Sequence, residues 1–535
     1  MARTGISLRT VLGLLAGLGL LVSTAGRATA QGQPLTVQRT ATGRPVPSGF
    51  VGLSMEFRGL AAYAGSDPRA VDPVFLNLIR EIAPGQQPIL RIGGDSTDWT
   101  WWSVPHARRP PGVRYDLTAR YMRVARSVAE QTNARLVMGI NLEADNRRDA
   151  AGEAHAMVNR IGARNIDALE IGNEPELYSA FPWYRAANGA RVLGRPPGWD
   201  PAQFAAEFTG LAHVMPGVPL AGPSSGSAAW LADLGSFLRT EPRVRLTTIH
   251  AYPLKHCVPT QNATIAQLLA NSSSSGFARS LAPFAAIAHR NGKRIRVDEM
   301  NAVSCGGQRG VSDTFASSLW VLDTLFEMLR AGVDGVNVHT VPDTINEVLG
   351  PSLANGRWSM RVHPEYYGMI MFARAAPPGS RLLALSSATP AGVKVWATRA
   401  RNGDVRVLLI NDHSRRSDNL RLRIPALNGP AAVQLMRAPS IHATRGVTVG
   451  DRSFGAATTT GLLRTPAPGS LTAVRGTYHV HLLAASATLL TLSPHAGHTS
   501  DEGCPPPPWT SARTCPQRPG ARARKSPFET SLEAR

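Results

Sequence analysis

Lysine is almost missing from this chain. Only Lys255, Lys293, Lys394 and Lys525 stand among its 57 basic residues, set against 37 acidic ones, so arginine carries the formal charge of +20. Such an excess suits an anionic partner, for instance an acidic glycan. An arginine-biased composition explains the same count without any function. Basic clusters interleaved with aromatics are also lacking, which argues against nucleic acid. After the first thirty residues no stretch is long and apolar enough to span a bilayer. Cysteine is scarce, with Cys257, Cys305, Cys504 and Cys515 at spacings unlike a zinc site. The histidines are scattered and no His-Glu-x-x-His occurs, so neither a metal nor another cofactor is expected. An early Gly-rich phosphate loop is missing too, which removes the main support for a doubly wound nucleotide-binding sheet.

The N-terminus does carry a signal. Arg3 and Arg9 precede an apolar run from Val11 to Val22, and Ala28-Thr29-Ala30 then offers a small-residue cleavage site. Residues 1–30 are expected to be a removed secretory leader, which makes the mature chain extracellular and leaves it without a stable membrane anchor. The alternative is an uncleaved anchor. Export permits disulfides, and pairs 257–305 and 504–515 are the simplest arrangement.

At 535 residues the chain is too long for one core. Between about 50 and 375, short apolar runs alternate with helical patterns. The runs are Val51–Glu56, Pro88–Ile92, Leu136–Ile140, Ala168–Ile171, Pro219–Ala221, Leu246–His250, Ile295–Asp298 and Gly335–His339. Phe315, Leu319, Leu322, Phe326 and Leu329 share one helical face, and Gly332 follows as a stop. Eight such units predict an α/β fold of the (β/α)₈ TIM-barrel type over 48–376. Past Pro377-Pro378 the pattern turns to strands, with Asn402-Gly403 as a hairpin signal. Residues 377–494 are expected to form a β-sandwich that a strand from 31–47 joins, and the Pro-, Ser- and Arg-rich stretch 495–535 a disordered tail.

Barrel enzymes place their chemistry at the C-terminal ends of the strands. The fourth run ends in Gly172-Asn173-Glu174-Pro175 and the seventh in Asp298-Glu299-Met300-Asn301. Strands four and seven face each other across an eight-stranded barrel, so Glu174 and Glu299 can flank one bond. Glycosidic cleavage needs such a pair: one carboxylic acid protonates the leaving oxygen while a carboxylate attacks or activates water. A lone Glu after a strand would be an ordinary surface acid.

These stretches resemble glycoside hydrolase family 79, the β-glucuronidases and heparanases, within the clan of 4/7 retaining barrels. The matching segments are FVGLSMEFRGL (50–60), LRIGGDSTDWTWW (90–102), LEIGNEPELY (169–178), HAYPL (250–254), VDEMNAVSCGGQRGVSDTFASSLW (297–320), GVNVHT (335–340) and HPEYYG (363–368). They span the whole barrel in order. The resemblance implies that Glu174 is the acid/base and Glu299 the nucleophile. It implies that Asn173 bonds the sugar 2-hydroxyl, that Tyr252 orients Glu299, and that Glu56 and Asp98 bind sugar hydroxyls. The bland reading of those two acids is a structural pairing with Arg91 or Arg58. Asn337 and His339 would line the mouth of strand eight, while Tyr366 and Tyr367 read as helix packing.

One departure touches specificity. Where glucuronidase members hold the uronic carboxylate, some with a tyrosine and an amide side chain, this chain offers Ser304 and Cys305. Gly306 and Gly307 can still present backbone N–H groups to an anion. Cys257 and Cys305 fall in adjacent loops on the catalytic face, so a disulfide between them is expected to stiffen that loop. The expected function is an exo-β-glucuronidase acting by double displacement on a glucuronate-containing glycan or glycoside. The rivals are an endo-acting, heparanase-like hydrolase, a neutral-sugar β-glycosidase, and a non-catalytic glycan-binding barrel.

Overall fold

The computed structural model describes residues 34–494 except 465. Residues 1–30, where a leader is expected, residues 495–535, where a disordered tail is expected, and with them Cys504 and Cys515 lie outside the described residues. Eight parallel strands close into a barrel: Val51–Glu56, Ile89–Gly93, Arg135–Ile140, Ile166–Ile171, Leu220–Ser225, Val244–Ala251, Arg294–Met300 and Val336–Thr340. Each pairs with the next in sequence, and the eighth returns to the first with Val336 opposite Val51. The first, fourth and fifth are buried at every position. A sheet covered by helices on one side and packed with side chains on the other requires this, and it explains why these strands read as apolar runs without alternation. The fifth runs beyond its expected end at Ala221, as far as Ser225.

The helix Phe315–Arg330 shows one apolar face in sequence yet is buried from Phe315 through Leu329. The second domain covers its outer side. Trp396 stacks on Phe326 at 5.1 Å, and its indole N–H donates to Asp323 Oδ1 at 2.8 Å. Tyr366 and Tyr367 serve packing: the Tyr366 hydroxyl donates to the Leu78 carbonyl, and the Tyr367 hydroxyl accepts from the Phe454 N–H.

The second domain is built from one continuous ten-stranded sheet. It curls over a core that includes Val37, Leu383, Val395, Val407, Leu422, Tyr478 and Leu490. Leu35–Thr42 is one of its strands. It runs antiparallel to Arg381–Leu385 on one side and parallel to Asp418–Arg423 on the other. No helix among the described residues is long and apolar enough to cross a membrane.

Candidate active site

The mouth of the barrel gathers carboxyl groups around a few cations. The fourth strand ends at Ile171, and the chain turns through Gly172 at φ 80°, where an added Cβ would press on Leu142 and the Tyr178 hydroxyl. Glu174 follows with φ 45°, a left-handed conformation uncommon for a side-chain-bearing residue, and its N–H is held by the Ser224 carbonyl. The turn aims the Glu174 side chain, about a fifth exposed, into the mouth. Glu299 comes from within the seventh strand, Arg294–Met300. A carboxylate oxygen from each of Glu174 and Glu299 and a ring nitrogen of His250 lie within 4.8 Å of one another.

Glu299 is held from several sides. Arg91 Nη1 donates to its Oε2 at 2.6 Å, and the Tyr252 hydroxyl donates to its Oε1 at 2.8 Å. His250 and His339 place ring nitrogens 4.0 and 3.9 Å from Oε2. Burial by itself would raise the Glu299 pKa. The charges of His339, His250 and Arg91, with the Tyr252 hydrogen bond, outweigh it and hold the carboxyl well below the usual range. Glu299 is therefore an anion at any ordinary pH.

Arg91 is wholly buried beneath the mouth. Besides Glu299 it reaches Glu170 at 2.7 Å, Asp298 at 3.2 Å and the Asn173 amide oxygen at 2.8 Å. With its oxygen anchored, Asn173 keeps its amide N–H groups for the cleft. Burial and the neighbouring Glu170 charge push Asp298 well up, so Asp298 keeps its proton; Arg91 holds Glu170 below its ordinary value despite burial. Burial opposes charge on His250, but Glu299 above all raises it to about 9. Two cations, Arg91 and His250, thus face two anions, Glu170 and Glu299.

The triads Glu170–His250–Asp298 and Glu174–His250–Glu299 have the spacing of metal ligands. Arg91 already supplies a positive charge to both sets, 2.7 Å from Glu170 and 2.6 Å from Glu299.

The other sequence candidates divide. His339 takes a hydrogen bond with Ser54 Oγ at 3.0 Å and lies 3.7 Å from Glu56 Oε1, so both line the mouth. Glu56 accepts from the Ser96 N–H at 2.8 Å and from the Ser96 hydroxyl, and it pairs with neither Arg91 nor Arg58. Asp98 is placed differently from a sugar-binding acid. It is buried in the wall, where Oδ1 accepts from the Leu142 and Glu143 N–H groups and Oδ2 from the Tyr178 hydroxyl. Asn337 is also structural: it accepts from Arg296 Nε and donates to the Leu53 and Ile89 carbonyls inside the barrel.

Cys305, in the loop after the seventh strand, forms a disulfide with Cys257, in the loop after the sixth, with Cα atoms 5.2 Å apart. The Ser304 N–H donates to the Leu254 carbonyl, and its hydroxyl sits 3.3 Å from Cys257 Sγ. Ser304 thus fastens the loop to its neighbour. Gly306 is exposed in that loop, and its carbonyl accepts from the Asn346 N–H.

Sequence reasoning passed over Asp95, Glu143 and His250. Asp95 reaches solvent in the cleft, yet protein surrounds it. Burial and the charges of Glu56, Glu174 and Glu299 push its pKa well up. Burial and Asp98 raise Glu143 to about 9. His250 stood in the motif HAYPL, but only its tyrosine drew a role. The spacing from Glu174, 76 residues, gave no hint that the two would meet.

No family model matches the chain. It is 23% identical over 407 residues to a β-glucuronidase of Neurospora crassa, covering 68% of this chain and 70% of that one. Its fold is similar to a solved 4-O-α-L-rhamnosyl-β-D-glucuronidase from Fusarium oxysporum 12S, with TM-score 0.70, 19% identity, and 85% of this chain and 100% of the other covered. It is also similar to a family 51 arabinofuranosidase from Xanthomonas axonopodis pv. citri, with TM-score 0.59, 16% identity, and 86% and 99% covered. These likenesses place the fold among the barrel glycoside hydrolases.

Proposed function

We propose that this glycoside hydrolase is a retaining, exo-acting β-glucuronidase. The observation that carries the mechanism is the approach of Glu174 and Glu299, with carboxylate oxygens within 4.8 Å. Retaining enzymes bring the two carboxyl groups to about 5–5.5 Å, whereas inverting enzymes leave room for a water between them. Glu299, an anion at any working pH, attacks the anomeric carbon. Glu174 accepts from His250 through Oε1, which leaves Oε2 to protonate the leaving oxygen and then to take a proton from water. Asn173, its oxygen fixed by Arg91, donates to the sugar 2-hydroxyl. The hairpin Pro182–Arg185/Arg191–Leu193 after the fourth strand and Leu349–Ala354/Arg357–Val362 after the eighth flank the mouth, which suits a chain end.

The choice of glucuronic acid rests on the Neurospora and Fusarium relatives, both glucuronidases by name. One observation favours a neutral sugar as the second reading. Glu56, Asp95, Glu174 and Glu299 crowd the mouth, and an anionic sugar is compatible with them only where Asp95 keeps its proton. We further propose that residues 1–30 export the protein. A panel of p-nitrophenyl β-glycosides, with proton NMR of the first-formed anomer, tests the reading. Glucuronide hydrolysis with retention is expected. Faster glucoside hydrolysis would transfer the assignment to neutral sugars, and inversion would overturn the mechanism.

A further inference from the structure

The arginine surplus has a buried member. Arg296 stands near the start of the seventh barrel strand, at the base of the barrel and away from the mouth, and is only 2% exposed. Its Nε donates to the Asn337 amide oxygen, and its Nη2 to the carbonyls of Gly49, Phe50 and Val336 at 2.9, 3.1 and 3.4 Å. None of these partners carries a charge. Nη1 has no hydrogen-bond partner among the described residues and lies against Gly335, whose missing side chain makes room for it. A buried cation without a counter-ion is costly. Burial accordingly pulls the Arg296 pKa down to about 10; the more distant charges of Asp167, Asp298 and Asp334 oppose this, and Arg294 adds to it.

A cavity of about 560 Å³ opens beside it, lined by Arg296, Arg44, Arg294 and Arg401 with one acid, Asp334. That acid is already engaged by Arg44 at 2.7 Å and by His289 at 2.8 Å. Arg294 is engaged by Asp167 at 2.8 Å. Arg296 and Arg401 form no salt bridge among the described residues. The remaining walls include Pro45–Ser48, where the chain enters the barrel, and Pro378-Gly379, where it leaves for the second domain.

We propose that this cavity is an anion site that takes one oxyanion group of the sulfate, phosphate or carboxylate type, with Arg296 Nη1 at its floor and Arg401 and Arg44 at its rim. Guanidinium groups match such oxyanions in charge and in fork geometry. The base of a barrel bears on stability rather than on chemistry. A ligand bound there, where the two domains join, stabilises the folded chain by mass action. The site is independent of which sugar the mouth accepts. Two sources share the chemistry: a free inorganic ion, and an acidic group of a glycan chain.

Titration calorimetry and thermal unfolding of the full-length protein test it, with sodium phosphate, sodium sulfate and a sulfated disaccharide in separate arms. Sodium chloride at equal ionic strength is the reference. One oxyanion per chain is expected to bind. Arg401→Gln should weaken binding at least tenfold, and Arg401→Gln/Arg44→Gln further, with hydrolysis unchanged. Glu299→Gln should bind as the wild type does. Binding of phosphate or sulfate alone identifies a free ion as the occupant; binding of the disaccharide alone, still weakened in Arg401→Gln, identifies a glycan. The proposal is overturned if no oxyanion binds, if Arg401→Gln binds as tightly as wild type, or if chloride produces the same rise in Tm.

Discussion

His250 Nδ1 lies 3.1 Å from Glu174 Oε1, and the opposite ring nitrogen lies 3.1 Å from Ser224 Oγ. The imidazole is thus fixed at both ends while it charges the floor of the cleft. Because its folded pKa, about 9, exceeds the unfolded value near 6.5, its contribution to stability is complete below about pH 6.5 and is lost as pH rises through 9. The span corresponds to on the order of 3 kcal/mol. Denaturant unfolding at pH 6, 7.5 and 9 should show the decline, and His250→Gln should flatten it. An unchanged slope in His250→Gln would place the titration elsewhere.

Glu365 acts in the same direction at lower pH. It is buried, its Oε1 has no hydrogen-bond partner, and burial raises it to about 8 despite a bond with Asn301. A carboxyl raised on folding favours the folded state while protonated, so this contribution is present below about pH 4.5 and is lost as pH climbs towards 8. Glu365→Gln should therefore be less sensitive to pH between 5 and 8 than the wild type, as read by Tm.

Arg91 joins Glu170, Asp298, Asn173 and Glu299. Arg91→Met removes the shared cation and leaves buried carboxylates unpaired, a loss of about 3–5 kcal/mol by comparison with broken buried pairs. Urea unfolding should show it, together with a recovery on acidification as Glu170 and Glu299 take up protons. A variant of wild-type stability would mean that the network carries little energy.

Glu299→Gln should abolish turnover on every glycoside. Glu174→Gln should spare the first step for activated leaving groups and slow the second, with added azide restoring rate. Equal losses on activated and unactivated substrates would remove Glu174 from the acid/base role.

The Cys257–Cys305 bridge closes a loop with a sequence separation of 48, for which chain entropy suggests about 4 kcal/mol. Cys257→Ser/Cys305→Ser should lower Tm. It should also raise KM more than it lowers kcat, because the loop that contains Gly306 follows the strand that carries Glu299. An unaltered KM would separate this loop from the sugar.

Much of this was legible in sequence because the barrel strands are buried on both faces and read as compact apolar runs. That Glu174 and Glu299 would meet followed from their places at strand ends. The place of Asp98 did not, since both acids of GGDSTD follow the same strand. Only the 3₁₀ turn at Asp95–Thr97 decides that Asp95 faces the cleft while Asp98 enters the wall. The strand Ser486–Leu492 went unmarked, because its partners Val405–Asn411 and Ala431–Arg437 lie far back in the chain. Ser304 could be assigned to the sulfur rather than the sugar only once the loop's path was known.

The place of Leu35–Thr42 in the second sheet has a consequence for synthesis. Its partner strand Arg381–Leu385 lies some 340 residues downstream. At about 5–20 residues per second the ribosome needs roughly 20–70 s to reach it. For that time the strand has neither neighbour, and the whole barrel can form while it waits. A chain released early, after Ala376, would carry a finished barrel and an unmatched, sticky leading strand. Yield of intact protein should therefore depend on whatever shields those eight residues during translation.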